Sequence, residues 1–378
     1  SNTAVGMNAM LHNTTGAESV AVGRNSLYSN TTGIQNVAVG RNAMYYGTTA
    51  NYNTGVGYRV LQNTTTGSEN TAMGRDTMLS NTTGYSNTAV GISALQSNTT
   101  GHNNAAIGRH ALLNNTTGSY NTAVGPQALN NNSTANDNTS VGFQSLFTNA
   151  TGSKNVALGM YALHYSNSPS HNTALGTEAG MNTTTGGENT AVGYRAMRSN
   201  TTGENNVAVG FDALHSSTVG SNNVALGLFA LEANTTGGAN VGAGRDALIN
   251  NTTGGNNTGL GREALKNVTT GSGNIGIGFR NSSGTYTPVF NPTTHNDRLA
   301  LGNTSTTNAY VQVSWTVTSD ERDKMNFASV PYGLDFVNQL KPTAFQFKVD
   351  RDTEEPNGDV RYGFKAQDIL ALEGDNPV

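Results

Sequence analysis

The stretch N-T-A-V-G-I-S-A-L-Q-S-N-T-T-G-H-N, residues 87–103, is followed without a gap by N-A-A-I-G-R-H-A-L-L-N-N-T-T-G-S-Y, residues 104–120. The same pattern continues in both directions, and its first glycine recurs at every seventeenth residue from Gly6 to Gly278, which makes 17 copies without an insertion. A disordered chain tolerates changes in repeat length, whereas stacked coils must keep their phase. The sequence therefore predicts an all-β fold, a parallel β-solenoid or β-roll of 17-residue coils over residues 1–278.

A short strand is predicted just before each repeated glycine. The residue directly before the glycine is aliphatic, as at Ile107 and Leu158, and the one before that is Ala or Gly, as at Ala38 and Gly55. This alternation is typical of a strand with one large and one small face. We expect the large side chain to point into the core with the Leu or Met of the following Ala-Leu pair, which would lie on a helical turn or a second short strand.

Two polar signals recur in each unit. The Asn that opens the unit, such as Asn36 or Asn70, is expected to form an internal ladder whose amides bond the copies above and below. The N-T-T-G segment is a turn signal, and glycines such as Gly16 and Gly84 are predicted to supply a positive φ there. Coils stacked about 4.7–4.9 Å apart would extend over about 80 Å.

The predicted core of each coil is thin, since only about one aliphatic residue and one Leu or Met would fill it. We therefore expect the Ala/Gly face of the strands to be covered by neighbouring chains that approach closely. Three chains around one axis are the economical arrangement, so the sequence predicts a homotrimer.

Composition bears on the classes of function that fit. Only 12% of the 378 residues are charged and the net charge is −4, so no basic surface is expected for nucleic acid. No apolar run approaches the roughly 20 residues that span a bilayer, so no membrane insertion is predicted. The chain contains no Cys, its seven histidines fall at unrelated phases of the repeat, and the units lack the Asp-rich pattern of calcium-binding β-rolls. No metal and no cofactor are therefore predicted.

The repeat resembles two kinds of surface fibre. Its strands are similar to the N-S-V-A-I-G-like strands of the left-handed parallel β-rolls in the heads of trimeric autotransporter adhesins, whose repeat is shorter. Runs of the form N-T-A-V-G-x-x-A-L-x-x-N-T-T-G resemble phage tail-fibre proteins more closely, where they lie upstream of a processing domain.

The period ends after Gly278. Residues 279–318 contain two prolines and the alternating stretches Arg298–Gly302 and Ala309–Trp315, which predict a β-rich neck that closes the solenoid. Charge density rises at residues 319–324. A helix is then predicted through Leu334, Val337 and Leu340 and a strand over residues 344–349, so the last domain is expected at residues 319–378.

Three blocks of this last segment resemble the intramolecular chaperone auto-processing domain, of serine-peptidase type, of phage tail fibres, tailspikes and endosialidases. They are S-D-E-R-D-K at 319–324, L-D-F-V-N-Q-L-K-P-T-A-F-Q-F at 334–347 and Y-G-F-K-A-Q-D-I at 362–369. The resemblance implies a small α+β domain that drives trimerisation of the β-structure before it and then cuts itself off. Residues 319–378 would be the N-terminal part of such a domain, and the chain is expected to be a piece of a longer polypeptide.

The same resemblance assigns candidate catalytic residues. Self-cleavage would use Ser319 as nucleophile and Lys324 as its base, with the Ser319–Asp320 bond as the cut site and with Asp320 and Arg322 in orienting roles. A desolvated lysine has a lowered pKa and can accept the serine proton. This sequence departs from the family pattern at Asp323, where an apolar residue is usual, and a carboxylate there would raise the lysine pKa. A second departure is Lys365, at a position that is usually aliphatic.

The sequence thus favours a structural homotrimeric phage tail-fibre shaft and adhesin, located in the virion and outside the cell. Its expected partners are a host cell-surface glycan or protein receptor and other tail proteins, and no enzyme activity is expected beyond a single self-cleavage. Exposed tyrosines could offer a carbohydrate-stacking surface; they are Tyr45, Tyr46, Tyr52, Tyr58 and Tyr85.

Three alternatives stay open from the sequence. The first is a bacterial trimeric surface adhesin of the same build. The second is part of a polysaccharide-degrading tailspike whose catalytic region lies outside this chain, because the acidic residues of the repeats show no repeated pairing. Those residues are Asp76, Glu178, Glu188, Asp212, Glu232, Asp246 and Glu263. The third is ice binding by the recurring Thr pair, which is interrupted at Ala150 and Pro169.

Overall fold

The computed structural model describes residues 1–309, 334–348 and 356–365. The chain forms two units, Ser1–Ala309 and Tyr310–Val378. The first unit is a parallel β-solenoid. In the second unit, a short helix α1 (Leu334–Gln339) precedes an antiparallel pair of strands, β19 (Thr343–Lys348) and β20 (Pro356–Gly363).

Each of the 17 repeats contributes one three-residue strand to the first unit. The strands are β1 (Thr3–Val5), β2 (Val20–Val22), β3 (Val37–Val39), β4 (Thr54–Val56), β5 (Thr71–Met73), β6 (Thr88–Val90), β7 (Ala105–Ile107), β8 (Thr122–Val124), β9 (Thr139–Val141), β10 (Val156–Leu158), β11 (Thr173–Leu175), β12 (Thr190–Val192), β13 (Val207–Val209), β14 (Val224–Leu226), β15 (Val241–Ala243), β16 (Thr258–Leu260) and β17 (Ile275–Ile277). An eighteenth strand, β18 (Leu299–Leu301), follows β17 in the same sheet.

The register of the sheet is the repeat itself. Each strand pairs in parallel with the next, and like pairs with like, as where Ala89 lies opposite Ala106 and Val90 opposite Ile107. The step is 17 residues along β1–β17 and 24 residues from Ile275 to its partner Leu299. The predicted all-β solenoid of parallel 17-residue coils is confirmed.

The strands face the opposite way from the one we expected. The middle residue of β2–β17 is buried, and it is Ala or Gly except at Ser140, while the flanking side chains point outward, with Ile107 exposed by 44%. The interior is already filled by the column of Leu and Met side chains that includes Leu95 and Leu112, both fully buried. This column leaves room for only a methyl group from the strand. The expectations of an inward aliphatic residue and of an Ala/Gly face covered by other chains were therefore wrong.

The Ala-Leu segment is neither a helical turn nor a second strand. It is a run of turns in which two alternate residues are left-handed, as at Ser93 (φ 54°) and Leu95 (φ 53°). A left-handed conformation costs an L-residue about 1–2 kcal/mol. Burial of the Leu side chain offsets this cost, as does a hydrogen bond from the N–H of Leu95 to the carbonyl of Ala111 in the next coil, 2.9 Å long.

The predicted Asn ladder is confirmed. The Oδ1 atom of Asn87 accepts the backbone N–H of Asn104 at 2.9 Å and its side-chain amide at 3.1 Å, while Nδ2 of Asn87 donates to the carbonyl of Gly101 at 2.9 Å. Both asparagines are buried. We call this the first amide column. It gives a buried polar group in almost every coil its hydrogen-bond partners, as burial requires.

A second amide column, which the sequence analysis missed, is formed by the Asn of the N-T-T-G turn. Asn98 donates to Oδ1 of Asn81 at 2.8 Å and to the carbonyl of Gly101 at 3.0 Å. Six positions of the second column lack the Asn, namely Gly47, Thr64, Ser166, Thr183, Ser217 and Val268. Thr64 still accepts a bond from Asn81, at 3.3 Å.

The two repeated glycines of a coil are required for different physical reasons. Gly91, at the end of β6, has a φ of +135°, which favours glycine. Gly101, in the N-T-T-G turn, does not have a positive φ, so that prediction was wrong for this position, as it was for Gly16 and Gly84. A Cβ on Gly101 would lie 2.4 Å from the carbonyl oxygen of Gly118, so close approach of the next coil explains this glycine.

Residues that follow β17 cover the C-terminal end of the regular coils. Phe279 follows β17 and is fully buried, and an ideal Cβ on Gly276 would lie 2.8 Å from its ring. The alternating stretch at 298–302 forms β18. In the second unit, α1 and β19 confirm the predicted helix and strand. Residues 310–315 of the neck lie outside the described residues, and the domain boundaries at 278 and 318 stay predictions.

Candidate functional site

The predicted self-cleavage residues lie outside the described residues. These are Ser319, Asp320, Arg322, Asp323 and Lys324. Lys365 is described, and it lies exposed two residues after β20. The outer surface of the solenoid, whose side chains and contacts are described, is therefore the candidate site.

The strand face is a long, uncharged stripe on that surface. We define it as the outward side chains at the first and third residues of β1–β17. The third residues are aliphatic or Met in every strand except β15, which ends at Ala243, and exposures reach 50% at Met73 and 57% at Val5. The first residues are Thr, Val, Ile or Ala. None of these side chains is charged.

The Thr pair of each N-T-T-G turn is divided between two environments. The first hydroxyl donates to a carbonyl of the next coil, as from Thr82 to Thr99 at 3.0 Å and from Thr99 to Thr116 at 2.9 Å. The second Thr, such as Thr100, is exposed. Most coils therefore offer one outward Thr hydroxyl, and not the Thr pair that an ice-binding array would use; Ser168 and Val219 replace this Thr in two coils.

The tyrosines predicted to form a carbohydrate surface fall into separate groups. Tyr45 stacks on Tyr28 with ring centroids 4.7 Å apart, and Tyr46 meets Tyr45 edge-on at 4.6 Å. Tyr85 stacks on His102 at 4.7 Å, in another column of the repeat.

The two remaining tyrosines are not part of these stacks. The ring of Tyr58 is flanked by the guanidinium groups of Arg41 and Arg59, at 5.8 and 5.0 Å from its centroid. Tyr52 is exposed. The five tyrosines thus do not make one continuous surface.

A larger aromatic cluster was missed by the sequence analysis. It comprises Phe143, Phe147, Tyr161, His164 and Tyr165, with neighbouring ring centroids 4.5–5.5 Å apart. His164 is buried at its centre and its Nδ1 lies 3.0 Å from the carbonyl oxygen of Gln144, while Tyr165 and Phe143 are exposed. The signal was present in the sequence, because Phe147 and His164 are one period apart and therefore stack.

Five acidic side chains of the repeats are held in ion pairs. Asp76 pairs with Arg59 at 2.7 Å and Asp212 with Arg195 at 2.9 Å, in each case between neighbouring coils. The others are Glu178 with Arg198, Asp246 with Arg245, and Glu263 with Lys266 and Arg280. Five of the seven carboxylates considered for polysaccharide cleavage thus have a basic partner.

Burial and neighbouring charges shift the pKa of two groups near the C-terminal end of the solenoid, Glu263 and Tyr286. Burial opposes ionisation of Glu263, but a hydrogen bond from Arg280 and the nearby Lys266 outweigh it and lower the pKa of Glu263. Burial, together with the charge of Glu263, raises the pKa of Tyr286 to about 12. Lys266 lies 5.3 Å from the centroid of the Tyr286 ring. This group ties the last regular coil to the segment that closes it.

A shallow polar pocket of about 300 Å³ lies beside Pro169, which replaces the turn glycine. Hydroxyl, imidazole and carboxylate groups line it, including Ser170, His171 and Glu188. Over the described ranges, no helix is both long and apolar enough to cross a bilayer. In those same ranges, no three His, Cys, Asp or Glu side chains come together as a metal site would need.

Comparison with known proteins identifies the end of the chain. Residues 319–374 match the family model described as chaperone of endosialidase. No curated protein and no solved structure matched the chain. The chain therefore joins a β-solenoid of 17-residue coils to a segment that matches the endosialidase-chaperone model, a combination that indicates a fibre-type phage protein.

Proposed function

We propose that this chain is the shaft of a homotrimeric phage tail fibre that presents a contact for a host receptor and is assembled by its C-terminal chaperone. The observation that carries the proposal is the order of the two parts, a solenoid followed by residues that match the endosialidase chaperone. Shaft rigidity fits the amide columns and backbone hydrogen bonds that join successive coils. A virion location and other tail proteins as partners follow from the same proposal.

The receptor contact that fits this shaft best is a glycan on the aromatic cluster. Exposed rings of Tyr165 and Phe143 offer apolar faces, and Tyr adds a hydroxyl that can bond a sugar. Tyr165→Ala should reduce adsorption of the purified fibre to host cells or to host polysaccharide, whereas Tyr52→Ala, at a separate exposed ring, should not. Equal adsorption by both variants would place the contact elsewhere.

Self-cleavage at Ser319 is the second part of the proposal. As the family resemblance implies, the Oγ of Ser319 would attack the carbonyl carbon of the scissile peptide bond while Lys324 takes up the hydroxyl proton. Lys324 would pass this proton to the leaving amine as the C–N bond breaks, and water would then hydrolyse the ester. The intact mass of the wild-type chain should show a product that ends near residue 319, and the Ser319→Ala variant should stay uncut. The same mass for both chains would leave a chaperone without processing.

The described residues do not support a glycosidase site within this chain. A hydrolase needs two free carboxyl groups about 5–10 Å apart, whereas Asp76, Glu178 and Asp212 are each bound to an arginine. Release of sugar from host polysaccharide by the purified chain would contradict a purely structural shaft. The tailspike alternative places its catalytic region outside this chain, so its test is the same assay on the longer polypeptide.

A further inference from the structure

We propose that the strand face is the surface along which copies of this chain pack, parallel and in register. The proposal rests on the homotrimer proposed above and adds the residues that meet. Its starting point is the inverted strand, in which Ala106 is buried inside one coil while Ile107 points away from it.

The composition of the strand face is that of an interface core. Its side chains are aliphatic, Met, Thr or Ala, and charged residues are absent from it over all 17 coils. Charges lie in other columns, as at Asp76, Glu69 and Lys154. The cores of protein interfaces are depleted of charge in the same way.

The size of the strand face matches what an interface needs. Seventeen coils about 4.8 Å apart and three residues of about 3.3 Å each give a stripe of roughly 800 Å². One partner in a stable complex contributes about 800 Å². Monomeric proteins rarely expose an apolar patch larger than a few hundred Å². A lone copy would therefore leave an uncharged stripe, aliphatic in its third-residue column, open to solvent over all 17 coils.

The period of the strand face selects its partner. Outward side chains recur once per coil along the stack, so a partner must repeat at the same spacing to fit over the full length. A second copy of this chain has that spacing by construction. Copies that are parallel and in register also place identical residues opposite each other, so that the Met73 side chains of all copies lie at the same height along the stack.

Cysteine cross-linking tests the proposal, because the chain has no Cys of its own. The full chain with Ile107→Cys should form a disulfide between copies on mild oxidation. Thr100→Cys, at an exposed position in another column, should not. Ile107 lies in β7, away from the middle strand, so fully overlapping antiparallel copies would not bring two Ile107 positions together. A disulfide between these positions therefore also indicates the parallel arrangement. The linked species should sediment like the untreated assembly.

A charge placed on the same face gives a second measure. Ile107→Lys should shift the assembly toward monomer by at least tenfold in its dissociation constant, while Thr100→Lys should leave it unchanged. Sedimentation velocity of each full-length variant measures this.

The possible results separate the two proposals. A trimer that cross-links through Thr100→Cys and not through Ile107→Cys would overturn the strand-face proposal and leave the homotrimer intact. A wild-type chain that sediments as a monomer would overturn the homotrimer, and the strand-face interface with it.

Discussion

A buried asparagine is the residue on which the stack depends most directly. In Asn87→Ala, the buried N–H of Asn104 would lose its partner, whereas the carbonyl of Gly101 would keep the bond from Asn98. An unsatisfied buried group costs about 1–3 kcal/mol, so we expect a loss of about 1–3 kcal/mol in unfolding free energy. Asn87→Ser should cost less, since Ser19 accepts the N–H of Asn36 at the same repeat position. Denaturant unfolding of both variants measures the difference.

The breaks in the second amide column predict a stabilising substitution. Among the described residues, Oδ1 of Asn200 and Oγ of Ser217 are buried without a hydrogen-bond partner. The side-chain amide of Ser217→Asn would donate to Oδ1 of Asn200, as Asn98 donates to Asn81 where the column is intact. We expect a gain of about 1 kcal/mol and a higher melting temperature. Ser216→Asn, on the neighbouring position, is the control and should change little.

The lowered pKa of Glu263 predicts a pH dependence. The folded state holds this carboxylate ionised below the ordinary pKa of 4.5, so the stabilisation is present above that value and is lost as the pH falls through the lowered pKa. Between about pH 5 and pH 3, the wild type should therefore lose thermal stability more steeply than Glu263→Gln. Glu204→Gln, at an exposed position, should follow the wild type. Parallel curves for all three would contradict the assignment.

At the scale of the element, the strand and the turn after it depend on a glycine with a positive φ. Gly91→Ala would need a left-handed residue whose Cβ lies 2.6 Å from the carbonyl oxygen of Gly108. We expect a loss above the about 1–2 kcal/mol of the backbone conformation alone. Gly101→Ala should cost less, because Ala50 and Ala135 already occupy that repeat position. Thermal melts of the two variants give the comparison.

The strands and turns also show how much of the fold can be predicted from the sequence. The period predicted strand position and register, because equal residues must stack when every unit has one length. Alternation at Ala106 and Ile107 predicted two unlike faces but not which one lies inside; the space taken by Leu112 decides that. The positive φ of Leu95 could not be predicted, since leucine rarely adopts it. The aromatic cluster needs residues from different repeat positions, which periodicity alone does not bring together.

At the scale of the whole molecule, the solenoid should tolerate the loss of residues only in whole units of 17. Deletion of residues 104–120 removes one coil and restores every register, so the melting temperature should stay nearly unchanged. Deletion of 104–119 leaves Tyr120 as an extra residue between Asn103 and Asn121, and it should lower the melting temperature clearly. Equal effects of the two deletions would contradict register as the organising constraint.

The breaks in the second amide column have a mechanical consequence. The backbone and side-chain bonds between coils follow the stacking direction, so a pull along the stack would load all bonds of one junction together. Such a stack resists tension until a whole junction gives way. We expect it to part first at the junctions of Gly47, Ser166, Ser217 and Val268, where the oxygen of the preceding asparagine holds no bond.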